Sequence, residues 1–257
     1  MSRGGKVLKE VIRRKLNEIE SAESVRILLA VESGSRAWGF ASPDSDYDVR
    51  FIYVRPKTDY LRLESVRDVI EYPIDDVLDI NGWDLSKALR LLRKSNPTLF
   101  EWFSSPVVYR STRFSEEFRP VMAAYFSSKR GLSHYISMAC SNFRAYLTGG
   151  QVKAKKYFYV LRPVLACRWI LDRGTPPPMM FSELMEAELS KELMPEVGRL
   201  LDLKISAPEV KSIPRIDSLN RYLLDSIEEI QKIIASLPDD PSRDWAELDS
   251  IFQSQLA

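Results

Sequence analysis

The chain has 257 residues, 45% of them hydrophobic and 28% charged, which suits an ordinary globular protein of one or two domains with a sizeable core. Thirty-seven basic residues against 36 acidic ones give a formal net charge of +1, so the whole molecule offers no argument for nucleic acid and any basic surface must be local. No apolar run approaches the length of a membrane span, and the polar start from Met1 to Lys6 lacks the apolar core of a signal peptide.

Val7 to Glu23 carries apolar residues at 8, 11, 12, 16 and 19, the spacing of a helix. Val25 to Glu32 is a short apolar run that reads as a buried strand and ends in the small-residue turn Gly34-Ser35. Residues 35–40 suit a short helix, whose N-terminus favours anions. Arg36 then stands either beside such an anion or on open surface. A second turn, Ser42-Pro43-Asp44-Ser45, leads into the strand Asp46 to Arg55, which Pro56 ends. Residues i and i+2 of a strand share a face. Asp46 and Asp48 therefore lie with Arg50 and Ile52, and Tyr47, Val49, Phe51 and Tyr53 line the other, apolar face. Residues 57–64 read as a loop or short helix, Val66 to Tyr72 as an edge strand closed by Pro73, and Val77 to Asn81 as a third central strand. Leu85 to Lys94 has the apolar spacing of a helix packed on the sheet, with Asp84 placed as its N-cap. Asn96-Pro97 reads as the N-cap and first position of a helix over 97–103. Capping and packing account for Asn96 and Glu101.

From Arg113 onward the pattern is helical, over 113–128, 132–148 and 151–172, with breaks expected at Gly131 and at Gly149-Gly150. The single histidine, His134, falls among Tyr135, Ile136 and Met138 and reads as a packed or bridging residue; a histidine triad or a His-rich metal site is excluded. Cys140 and Cys167 sit in apolar helical settings and read as reduced core residues of a cytosolic protein. Pro163 should kink the third helix, and Pro176-Pro-Pro178 is a stiff extended linker. Helices near 181–190, 192–203 and 216–236 follow, then Pro238-Asp-Asp-Pro241 and a last helix near 243–253.

Two features carry chemistry. Asp46 and Asp48 stand about 6.5–7 Å apart at their Cα atoms by strand rise, close enough to converge on a pair of divalent cations. Hard cations such as Mg²⁺ favour carboxylate oxygens and substrate phosphates, and paired metals suit phosphoryl transfer. Gly34-Ser35 supplies backbone that a phosphate can approach, with N–H groups and a hydroxyl. The second feature is the helix over 151–171. It holds Lys153, Lys155, Lys156, Arg162 and Arg168 without an acid, interleaved with Tyr157, Phe158, Tyr159 and Trp169. Lys155, Tyr159 and Arg162 share one helical face. That face is either a solvated basic surface or a set of cations for a triphosphate, with a tyrosine to stack on the base.

Gly34-Ser35, ten residues, then Asp46-Tyr47-Asp48 followed by Val49 resembles the signature of the DNA polymerase β-like nucleotidyltransferase superfamily. The wider string Gly34-Ser-Arg-Ala-Trp-Gly-Phe40 with Ser42-Pro-Asp-Ser-Asp-Tyr-Asp48 is similar to the bacterial predicted nucleotidyltransferases of the YcgL type, some of which are linked to RNA repair. Asn81-Gly-Trp-Asp-Leu85, Ser95-Asn-Pro-Thr-Leu99 and Lys156-Tyr-Phe-Tyr-Val-Leu-Arg-Pro163 extend the likeness across roughly residues 25 to 185.

The resemblance implies an α/β (α+β) fold: a small mixed sheet with flanking helices over residues 1–110, then a helical domain over 111–257 closing a nucleotide cleft. It implies Mg²⁺-dependent transfer, with Mn²⁺ as an alternative ion, of a nucleoside monophosphate from a triphosphate to an acceptor hydroxyl. Asp46 and Asp48 would hold two Mg²⁺ ions. A third carboxylate, expected on the next central strand, matches Asp79 best, because it lies mid-run between Leu78 and Ile80; Asp75, Asp76 and Asp84 compete. Gly34, Ser35 and Arg36 would meet the phosphates, and Lys156, Tyr159 and Arg162 the rest of the nucleotide. The acceptor suggested is an RNA end. A protein or small-molecule acceptor, a silent nucleotide-binding regulator and a plain RNA-binding protein are the rival readings.

Overall fold

The helical spacing near the N-terminus forms α1 (Arg3–Glu23), which buries Ile12, Leu16 and Ile19. The apolar run after it is β1 (Arg26–Glu32), followed by the single turn α2 (Gly34–Ala37) and by β2 (Tyr47–Val54). Then come α3 (Lys57–Tyr60), β3 (Val69–Glu71) and β4 (Leu78–Asp84), and after them α4 (Leu85–Arg93), α5 (Pro97–Ser104) and β5 (Val108–Ser111). This computed structural model describes residues 3–42, 44–72, 77–206, 212–240 and 243–256, with side chains from residue 8 onward. The expectations at Pro43, Pro73, Asp75, Asp76 and Pro241 lie outside the described residues.

The strands form one five-stranded sheet in the order β3-β4-β2-β1-β5. β2 and β4 run parallel and the other pairs antiparallel, so the sheet is mixed and the fold is α/β. The parallel register sets Asp48 beside Asp79, Arg50 beside Asn81 and Ile52 beside Trp83. One face of the sheet, with Val49, Phe51, Tyr53 and Ile80, packs on α1. The other, with Leu29, Ile52 and Val54, is covered by α4, α5 and α6 (Arg113–Ala124). The predicted caps form: Asp84 accepts from the Ser86 amide at 2.8 Å and Asn96 from the Thr98 amide at 2.9 Å.

A third apolar cluster is built around α8 (Ala154–Arg173), which buries residues on nearly every side. Packed with it are α7 (Ser128–Tyr146), α9 (Phe181–Glu188), α10 (Met194–Ser206) and α11 (Asp217–Ser236). The last helix, α12 (Ala246–Gln255), returns to the sheet cluster through Leu248, Ile251 and Phe252. The expected division at residue 110 falls inside β5, and α6, just beyond it, packs with the sheet.

Several expectations need correcting. Gly131 does not break a helix but lies buried inside α7. Its Cβ would stand 3.1 Å from Ile170 Cδ1, so the small residue serves the close approach of α7 to α8. The break comes at Tyr125–Ser127 instead, where the Ser127 hydroxyl caps α7 by accepting from the Arg130 amide at 3.1 Å. Gln151–Lys153 is not the start of a helix but a short strand, β6, paired antiparallel with β7 (Ser212–Pro214). Its partner lies about 60 residues downstream, beyond the reach of local periodicity. The edge strand β5 was not legible in the sequence, because four residues are too few to show alternation. α8 continues through Pro163. Among the described residues no helix is long and apolar enough to cross a membrane. Cys140 and Cys167 are free, and burial pushes the Cys167 thiol far above its ordinary pKa.

Candidate active site

The turn after β1 works because residue 34 has no side chain. Gly34 has φ +58°, a left-handed angle, and a Cβ there would stand 2.0 Å from Asp48 Oδ2. The Asp48 carboxylate therefore lies directly against the turn. Two backbone amides lock the arrangement: that of Ser33 donates to the Asp48 carbonyl at 2.8 Å, and that of Asp48 donates to the Glu32 side-chain Oε1 at 2.8 Å.

Parallel pairing brings Asp79 alongside Asp48, and the two carboxylates share one cation. Arg50 Nη2 stands 3.1 Å from Asp48 Oδ1 and 2.6 Å from Asp79 Oδ2. Asp46 lies exposed just before β2 rather than within it. Burial raises the Asp48 pKa above the ordinary carboxylate value; the Arg50 charge opposes this, and the charges of Asp79 and Asp46 add to it. Asp84 is at the opposite end of β4, and its oxygens accept from the Ser86 amide and from the Tyr60 hydroxyl at 2.7 Å. It is a cap, and Asp79 is the acid that joins Asp48.

Among the described residues no three His, Cys, Asp or Glu side chains stand gathered as a ready metal cage. The donor chemistry nevertheless fits a hard divalent cation. Carboxylate oxygens from two strands converge on one positive group, the charge of Asp46 is felt at Asp48, and a glycine keeps the approach open.

The loop ahead of the aspartates is held from two sides. Arg36 donates from Nη2 to the Ser45 carbonyl at 2.6 Å and from Nε to the Asp46 carbonyl at 3.0 Å, and stacks 3.6 Å from the Tyr47 ring centroid. From α10, the buried Lys204 donates to Ser42 Oγ at 3.2 Å and Ser45 Oγ at 3.5 Å. Arg36, expected at a phosphate, is thus engaged with the loop.

Helix α8 reaches the site through Trp38, just past α2. The Tyr159 ring meets Trp38 edge-on at 6.4 Å, and the Arg162 guanidinium lies 4.8 Å from the Trp38 ring centroid. Arg162 corrects the expectation of a phosphate-facing cation. It is 2% exposed, and its Nη1 donates to Glu101 Oε1 at 2.8 Å, an oxygen that also accepts from the Tyr135 hydroxyl at 2.7 Å. Its charge is matched inside the protein, and it ties α8 to α5. Lys156 stands over the Tyr146 and Tyr159 rings at 3.8 and 4.5 Å. His134 packs edge-on to Tyr135 at 5.8 Å, and burial lowers its pKa against the pull of Glu101.

Sequence reasoning assigned no role to Glu32, Arg50 or Lys204. Glu32 is 1% exposed and bonds to the Tyr109 hydroxyl. Burial pushes its pKa up to about 7, although the bonds from Tyr109 and the Asp48 amide oppose the shift. An acid at the end of an otherwise apolar strand was a signal for it. Arg50, on the aspartate face, was a weaker one. Nothing local pointed to Lys204.

The sequence family described as "RlaP: RNA repair pathway DNA polymerase beta family" matches residues 8–254. Over 247 residues the chain is 47% identical to "Uncharacterized protein YcgL" of Bacillus subtilis (strain 168), covering 95% of each. A solved structure, a nucleotidyltransferase-like protein from Exiguobacterium sibiricum 255-15, is similar at 13% identity with a TM-score of 0.33, over 88% of this chain and 75% of that one.

Proposed function

We propose, since this chain belongs to the RNA repair pathway DNA polymerase β family and is a nucleotidyltransferase, that it transfers a nucleoside monophosphate from a triphosphate to a hydroxyl at an RNA end. The observation that carries this reading is the pairing of Asp48 with Asp79 on parallel strands against the Gly34 turn. Asp46, Asp48 and Asp79 would hold Mg²⁺, with Mn²⁺ as a substitute. When bound, the ions neutralise phosphate charge and polarise the reacting oxygens.

The acceptor oxygen forms a bond to the α-phosphorus, the bond from that phosphorus to the bridging oxygen breaks, and pyrophosphate leaves. Asp79 takes the proton of the acceptor hydroxyl. The amides of Gly34 and Ser35 and the Ser35 hydroxyl meet the outer phosphates. Lys156 adds positive charge, and Tyr159 beside Trp38 offers a ring to the base. Most of the catalysis in such a site is positioning and charge neutralisation. The two free thiols suit a cytoplasmic setting.

The test is incubation with each α-labelled nucleoside triphosphate, Mg²⁺ and short RNA, in parallel with protein and small-molecule acceptors. Label should enter RNA with wild type and be lost with Asp48→Asn, whose melting curve should show a folded protein. Label on RNA from both proteins alike, or on no acceptor with either, would overturn the proposal. Binding of triphosphate without transfer would favour a regulator.

A further inference from the structure

Arg50 occupies an unusual place for a basic residue in a cation site. It shares a strand face with Asp48 and is registered against Asn81, two positions beyond Asp79. One nitrogen, Nη2, bridges Asp48 Oδ1 at 3.1 Å and Asp79 Oδ2 at 2.6 Å, carboxylates from two different strands. The other, Nη1, donates to the carbonyls of Asp79 at 2.8 Å and Val49 at 3.1 Å. The side chain is only 18% exposed, so its position is set by these four oxygens and not by solvent. Both carboxylates thus aim an oxygen at one positive group. A divalent cation would draw the same oxygens, and two like charges cannot share that point at such short range.

We propose that Arg50 is a built-in counter-ion that closes the metal-free site, and that a divalent cation binds by displacing it. The guanidinium holds together two half-buried carboxylates that would otherwise repel each other. Its release on metal loading frees a fork of donors beside the site for an incoming phosphate. Cation affinity is therefore lower than the carboxylates alone would confer. The inference rests on the divalent-cation reading given above, and the experiment separates the two.

Wild type, Arg50→Gln and Arg50→Lys would be titrated with Mn²⁺ alone, following loss of the free-ion electron paramagnetic resonance signal. Each would also be melted in EDTA and in Mn²⁺. Arg50→Gln should melt lower in EDTA, bind Mn²⁺ at least about tenfold more tightly, and gain more from Mn²⁺ in its melt. Arg50→Lys, which keeps the charge without the fork, should fall between the two. Unchanged or weaker Mn²⁺ binding by both variants, beside clear binding by wild type, would overturn the inference and leave the metal reading standing. Binding by none of the three proteins would overturn the metal reading itself. Wild type alone provides a further measurement should Arg50→Gln fail to fold. Phenylglyoxal labelling mapped by mass spectrometry should find Arg50 protected in EDTA and modified in Mn²⁺; equal labelling in both would count against displacement.

Discussion

At Gly34 one backbone angle decides where a carboxylate rests. Alanine there would meet both the left-handed φ of +58° and the Asp48 oxygen 2.0 Å away. Gly34→Ala should cost roughly 1–3 kcal/mol in a urea melt, and Mn²⁺ binding should weaken with it. Wild-type stability in that variant would mean that Asp48 is not seated against the turn. Glu32 predicts a dependence on pH. Its pKa is raised from 4.5 to about 7, chiefly by burial. A raised carboxyl contributes stability that is full below its unfolded pKa and is lost as pH climbs through the folded one. In EDTA, wild type and Glu32→Gln should therefore be similarly stable near pH 4. Above pH 7 the variant should be more stable, by up to about 3 kcal/mol. A constant gap from pH 4 to pH 8 would exclude the linkage.

Among the elements, the parallel pair β2 and β4 assembles the site and α8 borders it. The two ends of β4 have different duties. Asp79→Ala should abolish nucleotidyl transfer in a protein that still folds, its melt lowered by loss of the pair with Arg50. Asp84→Ala, which removes the cap of α4, should cost about 0.5–2 kcal/mol while transfer persists. The reverse pattern would move the third carboxylate to Asp84. On α8, the pair formed by Arg162 and Glu101 is enclosed. A double-mutant cycle with Arg162→Met and Glu101→Gln, read by urea melts, should give a coupling of about 0.5–3 kcal/mol. Zero coupling would return Arg162 to a role facing a ligand.

The whole molecule is closed by its C-terminus returning to the sheet. Leu248 is fully buried, Phe252 meets Tyr60 at 5.0 Å between ring centroids, and Arg93 Nε donates to the Arg243 carbonyl at 2.9 Å. Removing residues 243–257 uncovers the apolar surface of α4. With Leu248 and Phe252 worth about 1.5–3 kcal/mol each, the truncated protein should lose roughly 4 kcal/mol and melt lower in calorimetry. A melt identical to that of the full chain would mean that α12 does not hold the sheet. Lys204 shows the same long reach, touching the Ser42–Ser45 turn from 162 residues away.

Features that depend on neighbours along the chain are legible in the amino-acid order alone. The spacing of α1, the caps at Asp84 and Asn96, and the turn that leads from Gly34-Ser35 toward Asp46 and Asp48 follow from helical periodicity, side-chain acceptors and small residues. Each acts within a few positions of itself. Features that depend on a distant partner emerge only once the chain has folded. A run of basic residues does not reveal that Glu101, 61 positions before Arg162, will neutralise one of them. Nor does it reveal that Ile170 will press on Gly131, that Gln151–Lys153 will find Ser212–Pro214, or that one nitrogen of Arg50 will span two strands. Burial and charge matching are properties of the assembled neighbourhood. A cation whose acid arrives from another element therefore looks, in sequence, the same as one left open for a phosphate.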